Sequence, residues 1–215
     1  MVASDVPRTR AFYQTVADAY ALLVADVGFE GALELSLIAD FVDQLAHGER
    51  VDIVDAGCGT GRMIGHLRSL SASVRPIGVD LSPAMLAHAR AAHPDVELVE
   101  APLQRMSLPG ESADGILAWY SVIHTSPADL PEVLSEFRRV LRPGGLVLLG
   151  FQSGFGERRR SGAYGHDIEL HAYLHDTAAV SSALTAARFV VEVRMDRGPR
   201  REERLPQGFV MARAV

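Results

Sequence analysis

The chain has 215 residues with 21 basic side chains, all arginine, against 27 acidic ones, for a formal net charge of −6. That balance argues against nucleic acid as the main partner, and the missing lysine excludes Schiff-base lysine chemistry and a phosphate loop built on lysine. The single cysteine, Cys58, excludes an internal disulfide and a cysteine-based zinc site. It suits a reducing cytosol, and the opening MVASDVPRTRAF lacks the apolar run of a signal peptide. No stretch reaches the length of a membrane span, so the expected location is cytoplasmic.

In chain order, residues 8–47 look helical with a break near Gly28–Gly31. The run 51–56 is short and β-branched and leads into glycines, so it reads as a buried parallel strand. A helix over 60–70 and a strand over 74–79 follow, and then Ser82-Pro83 opens a helix in N-cap and N1 roles. Strands are expected at 96–99 and 114–119. A helix over 128–141 is ended by Arg142-Pro143-Gly144-Gly145, and 146–151 is a fifth strand. Residues 152–166 read as irregular, and the run Glu157-Arg158-Arg159-Arg160 within them as a solvated loop. A helix over 176–187 and strands at 189–195 and 208–212, joined by a long polar hairpin connection, close the chain.

This alternation implies an α/β fold: a doubly wound, seven-stranded, mostly parallel sheet with an antiparallel last strand, in a three-layer α/β/α sandwich. The expected organisation is one domain over 1–215, with a helical segment at 1–47 ahead of a Rossmann-like core at 48–215.

The loop Asp55-Ala56-Gly57-Cys58-Gly59-Thr60-Gly61 lies between a strand and a helix, where backbone N–H groups can meet a polar ligand. Three glycines at alternate positions exceed the needs of a plain turn. A dinucleotide fingerprint, G-x-G-x-x-G, requires glycine at position 62, which is occupied by Arg62.

The segment VDIVDAGCGTGR closely resembles motif I of the class I S-adenosylmethionine-dependent methyltransferases, of the small-molecule type. By that resemblance Asp55 faces the cofactor's ammonium, Gly57 and Gly59 admit close backbone approach, and Cys58 is a small filler. Arg62 joins the candidate contacts. IGVDLSPAML places Asp80 where the family's second motif has a carboxylate for the ribose hydroxyls, with Leu81 and Met85 about the adenine. Met85 equally suits the core. The family's aspartate after the third strand is replaced by Glu100-Ala101-Pro102-Leu103. Adenine contacts are therefore assigned to the Pro102 and Leu103 region, with Glu100 and Gln104 as alternatives. DGILAWYSVIHT and RRVLRPGGLVLLGF resemble the later motifs, and the likeness covers residues 50–151. FYQTVADAY resembles the tyrosine-bearing helix that lids the cofactor in this family, which nominates Tyr13 and Tyr20, although Phe12, Val16 and Tyr20 also suit simple packing.

Trp119 would present its carbonyl to the cofactor and its ring to the pocket wall. His124, just beyond the fourth strand, is the candidate base, and Tyr120 a candidate orienting hydroxyl. Tyr164 and His166 are assigned to the acceptor, together with the neighbouring His171. A metal site from His171, His175 and Asp176 is weakly signalled, and none is assigned. Ala118-Trp119-Tyr120-Ser121 stands where base-modifying relatives carry N/D-P-P-Y/F, so a small-molecule acceptor is expected, without nucleic acid or membrane, in a monomer or homodimer. The competing reading is a cofactor-binding protein of the same fold that catalyses another reaction or only binds. The expected cofactor is S-adenosylmethionine, leaving as S-adenosylhomocysteine.

Overall fold

A computed structural model describes residues 5–160, 162–200 and 203–215. The first four residues of the expected helical segment, Ser161 of the irregular stretch, and Arg201 and Glu202 of the hairpin connection lie outside the described residues.

The chain opens with helix α1, Val6–Leu23, which buries Phe12, Val16 and Ala17 at helical spacing. The expected break is a 3-10 turn, Val27–Phe29, entered where Asp26 accepts the Gly28 N–H at 2.8 Å. Helix α2, Ala32–Asp43, then buries Ile38, Phe41 and Val42.

Strand β1, Val51–Ala56, is buried at every position, as a central parallel strand covered on both faces must be. Helix α3, Arg62–Leu70, starts two residues later than expected because Gly61 takes a left-handed conformation (φ +88°) at its N-cap. Strand β2, Val74–Asp80, leads to α4, Pro83–Ala92, where the Ser82 hydroxyl accepts from the Met85 N–H at 3.4 Å. Strands β3, Glu97–Glu100, and β4, Ala113–Trp119, follow, and then helix α5, Leu130–Val140.

The boundary after α5 differs from the sequence expectation. Strand β5 runs Leu141–Gln152, so Arg142-Pro143-Gly144-Gly145 belongs to its entry rather than to a separate turn. Leu141 already pairs with Ala113, after which the register slips to Gly115 against Leu146. Gly144, at φ +82°, absorbs the extra residues.

Strands β6, Glu157–Arg160, and β7, Leu170–Tyr173, form an antiparallel ribbon of their own. The arginine run expected as a solvated loop is thus a paired strand; its partner lies too far along the chain for local patterning to reveal it. Helix α6, Thr177–Ala186, precedes the closing strands β8, Phe189–Arg197, and β9, Gln207–Ala214.

The seven-stranded sheet has the order β3-β2-β1-β4-β5-β9-β8, and β9 is antiparallel to both of its neighbours. One apolar layer packs side chains of α5 and α6 on one face, and a second packs α2 and α3 on the other, giving the three layers. Strand order reverses between β1 and β4. Open α/β sheets bind ligands at the C-terminal ends of the strands flanking such a switch.

Candidate active site

The β1 and β4 ends meet at close quarters. Gly57 has φ +82°, and a Cβ placed there would lie 2.3 Å from the Ser121 Cβ. Gly59, at φ +54°, has nothing within 4 Å of such a Cβ. The first glycine is therefore required by packing, whereas the second leaves its face open toward a cavity of about 460 Å³. That volume is in the range of small-molecule and cofactor sites.

Gly57, Gly59, Arg62, Asp80, Leu81, Met85, Leu103 and Trp119 all line the cavity, as do Tyr13 and Tyr20 from α1. Tyr120, His124 and Tyr164 complete the nominated residues on its wall. Asp55 lies behind the wall, fully enclosed, with Oδ2 lacking any hydrogen-bond partner. Burial raises its pKa to about 7, with Arg62 opposing and Asp80 reinforcing the shift. Cys58 faces away and packs with Ile64 and Leu86, in keeping with a filler role; burial pushes its thiol up.

The Asp80 carboxylate accepts the Gly59 N–H at 2.9 Å and the Ser82 N–H at 2.8 Å, so it ties the glycine loop to the start of α4. Burial raises its pKa, and its backbone hydrogen bonds oppose the rise. Leu103 and Gln104 line the cavity and Pro102 does not; the Pro102 carbonyl accepts the Arg105 N–H at 3.0 Å in a turn. Glu100 pairs instead with Arg10 of α1.

Arg62 forms a nearly buried ion pair with Glu30 at 2.7 Å, and Trp119 Nε1–H donates to the same Glu30 oxygen at 3.0 Å. Glu30 Oε2 and Ser121 Oγ, like Asp55 Oδ2, are buried without partners. Unsatisfied buried polar atoms are rare in folded proteins, and here three of them surround one glycine loop. The role of Glu30 had no signal in the sequence, since its partners lie 32 and 89 residues away.

His124 sits in a 3-10 turn, Val122–His124, beyond β4. Its Nδ1 lies 3.0 Å from the His171 carbonyl and its Nε2 lies 2.8 Å from the Tyr13 hydroxyl. A carbonyl only accepts, so Nδ1 carries the hydrogen, and burial lowers the pKa to keep the ring neutral. Nε2 is then a lone pair, and Tyr13 donates to it. The Tyr13 phenol is itself pushed well up by burial. Tyr120, held at φ +58°, donates its hydroxyl to Gln207 at 2.7 Å and contributes its ring to the wall.

Tyr164 turns inward at φ +55° and tilts against Tyr20 at 5.5 Å. His166, nominated with it, is exposed and off the cavity, because the turn that brings Tyr164 in carries the chain back out. His171, His175 and Asp176 do not converge. His171 pairs with Glu157 and Glu169 at 2.5 Å each, His175 donates to the Val122 carbonyl at 3.1 Å, and Asp176 caps α6. Among the described residues no group of His, Cys, Asp and Glu is placed to hold a metal, and no helix is long and apolar enough to cross a membrane.

Residues 53–145 match a family model described as a methyltransferase domain. The chain is 29% identical over 145 residues to a malonyl acyl-carrier-protein O-methyltransferase of Hahella chejuensis, covering 67% of this chain and 52% of that protein. It therefore spans about half the length of this curated relative. The 4+2 cyclase SpnF matches with a TM-score of 0.74 at 14% identity, over 97% of this chain and 96% of that one. A 1,6-didemethyltoxoflavin N1-methyltransferase of Burkholderia thailandensis, solved with 1,6-didemethyltoxoflavin and S-adenosylhomocysteine bound, matches with a TM-score of 0.67 at 22% identity. That match covers 98% of this chain and 88% of that one, and at such identities the structures establish the shared fold. With its glycine loop and its Asp80 in order on that fold, residues 53–145 are similar to the methyltransferase-domain family.

Proposed function

We propose that this chain transfers a methyl group from S-adenosylmethionine to a small-molecule acceptor held between the strand ends and α1. The observation that carries the reading is the buried, unpartnered Asp55 Oδ2 in β1, directly ahead of the glycine loop whose Gly59 is open. A carboxylate pushed up to about 7 by burial calls for a cation, and an amino-acid ammonium supplies one. Asp80 retains lone pairs for a vicinal diol, and Leu81, Met85 and Leu103 provide an apolar slot. These residues fit the cofactor, which when bound supplies an electrophilic methyl on its sulfonium.

The chain's own task is then to align the acceptor and remove its proton. His124, with Nδ1–H fixed on the His171 carbonyl, keeps its Nε2 lone pair toward the Tyr13 hydroxyl. We assign His124 as the base and the Tyr13 phenol as the group that relays the acceptor's proton to it. Helix α1 acts as a lid: Gln14 accepts from the Ala84 N–H at 3.2 Å, and Asp18 meets His88 at 2.8 Å, so both side chains hold α1 on α4. The reading includes a cytosolic setting, supported by the lone buried Cys58. Release of S-adenosylhomocysteine on incubation with an acceptor panel tests it.

A second reading is favoured by the match to a cyclase of the same fold at a TM-score of 0.74. In this second reading the chain holds the cofactor structurally and its cavity runs other chemistry. Product formation without S-adenosylhomocysteine would select that reading.

A further inference from the structure

Two guanidiniums line the cavity, and their surroundings differ. Arg62 is neutralised by Glu30 at 2.7 Å. Arg158, on β6, donates to Gln152 Oε1 at 3.1 Å, and among the described residues it has no carboxylate at ion-pair distance. The carboxylates on the same wall are already engaged. Asp5 pairs with Arg8 at 3.1 Å and accepts from Tyr173, Asp80 holds two backbone N–H groups, and Asp129 accepts from Ser126 at 2.7 Å.

We infer that the acceptor carries a carboxylate, received by the Arg158 guanidinium and the Gln152 amide as its anchor. This rests on the proposed reading of the cavity as the acceptor chamber. A guanidinium lining a partly enclosed cavity without a counter-charge is complementary to a planar carboxylate, which it can meet through two parallel N–H groups. Gln152 has given its oxygen to Arg158, so its NH₂ points the same chemistry at the ligand: donors only. One unpaired guanidinium matches a monoanion, whereas a phosphate dianion would leave a negative charge uncompensated beside Asp5 and Asp129. The remaining wall, with Tyr13, Tyr20 and Tyr164, suits an aromatic or extended apolar body.

The ribbon β6–β7 couples this anchor to the proposed base. Arg158 is registered with Ala172, and the adjacent rung, Arg159 with His171, provides the carbonyl that orients His124. Neighbouring rungs of one ribbon thereby hold the acid end of the acceptor and set the imidazole.

The test uses the full chain saturated with S-adenosylhomocysteine, after titration shows that it binds. Benzoate, phenylacetate and indole-3-acetate are each compared with the matching carboxamide by calorimetry or ligand-observed NMR, with phenyl phosphate as a further probe. At least one carboxylate should bind ten-fold or more tightly than its amide. Arg158→Gln should abolish that preference, and S-adenosylhomocysteine affinity should stay within two-fold. Absence of any carboxylate preference in the wild-type chain, its persistence in Arg158→Gln, or tighter binding of phenyl phosphate overturns the inference. Failure of S-adenosylhomocysteine to bind the folded chain instead overturns the cofactor reading on which it rests.

Discussion

The Tyr13 hydroxyl donates to Nε2 of His124 at 2.8 Å, joining helix α1 to the end of β4 across 111 residues of sequence. The other imidazole nitrogen is held by the His171 carbonyl at 3.0 Å, so the ring has one tautomer and one orientation. Helix α1, sheet and ribbon meet at this single side chain, and the proposed proton path runs through it.

If that path is used, His124→Gln and Tyr13→Phe should each lower kcat by about 100-fold, the usual scale for a lost general base. S-adenosylhomocysteine affinity should change little for His124→Gln. The check is steady-state kinetics on the first acceptor found, alongside a binding titration. A variant with wild-type kcat would reduce its residue to a packing role.

The buried imidazole also sets a pH dependence of stability. Burial lowers the folded-state pKa of His124 below its ordinary value of 6.5. Between those two values the unfolded chain takes up a proton that the folded chain refuses. The contribution is therefore complete above about pH 6.5 and is lost as the pH falls. Tm measured from pH 8 to pH 5 should drop more steeply for the wild type than for His124→Gln. Parallel curves would contradict the assignment.

The glycine loop separates folding from binding. Gly57→Ala drives a Cβ to within 2.3 Å of Ser121, whereas Gly59→Ala meets open space and costs only the left-handed backbone strain of about 1 kcal/mol. Gly57→Ala should then depress Tm strongly. Gly59→Ala should remain folded but bind S-adenosylhomocysteine at least ten-fold more weakly, because its methyl occupies the cavity face. Calorimetry and thermal melts on the two variants distinguish these outcomes.

Glu30 is the buried partner of Arg62 and of the Trp119 indole N–H. Glu30→Leu strands both, at a cost of about 3 kcal/mol typical of a broken buried pair. Glu30→Leu combined with Arg62→Met should recover most of that loss. Urea unfolding of the two single variants and the double variant measures the coupling directly.

The parts of this molecule that were legible in the sequence are those written locally. Val51–Ala56 announces a covered parallel strand by its β-branched run, and Ser82-Pro83 announces the start of α4; both stand where expected. Asp80 could be picked out because its place at the end of β2 carries a motif. Glu30 and the pairing of Arg158 with Ala172 were not, since each depends on partners brought together only by the fold. His166 shows the reverse case. It stands close to Tyr164 in sequence, but two successive left-handed residues, Tyr164 and Gly165, send the two side chains to opposite sides of a turn.

The most direct test of the central claim is calorimetric titration of S-adenosylhomocysteine into the full chain and into its Asp55→Asn and Asp80→Asn variants. One site is expected in the wild type, with affinity falling at least ten-fold in each variant. Asp55→Asn is also expected to raise Tm at pH 8. A carboxyl whose folded pKa is lifted to about 7 loses stability as the pH rises from its ordinary value of 3.8 toward 7, and the amide does not. Absence of binding heat from a wild-type chain that melts cooperatively would rule out S-adenosylmethionine as the ligand of this cavity.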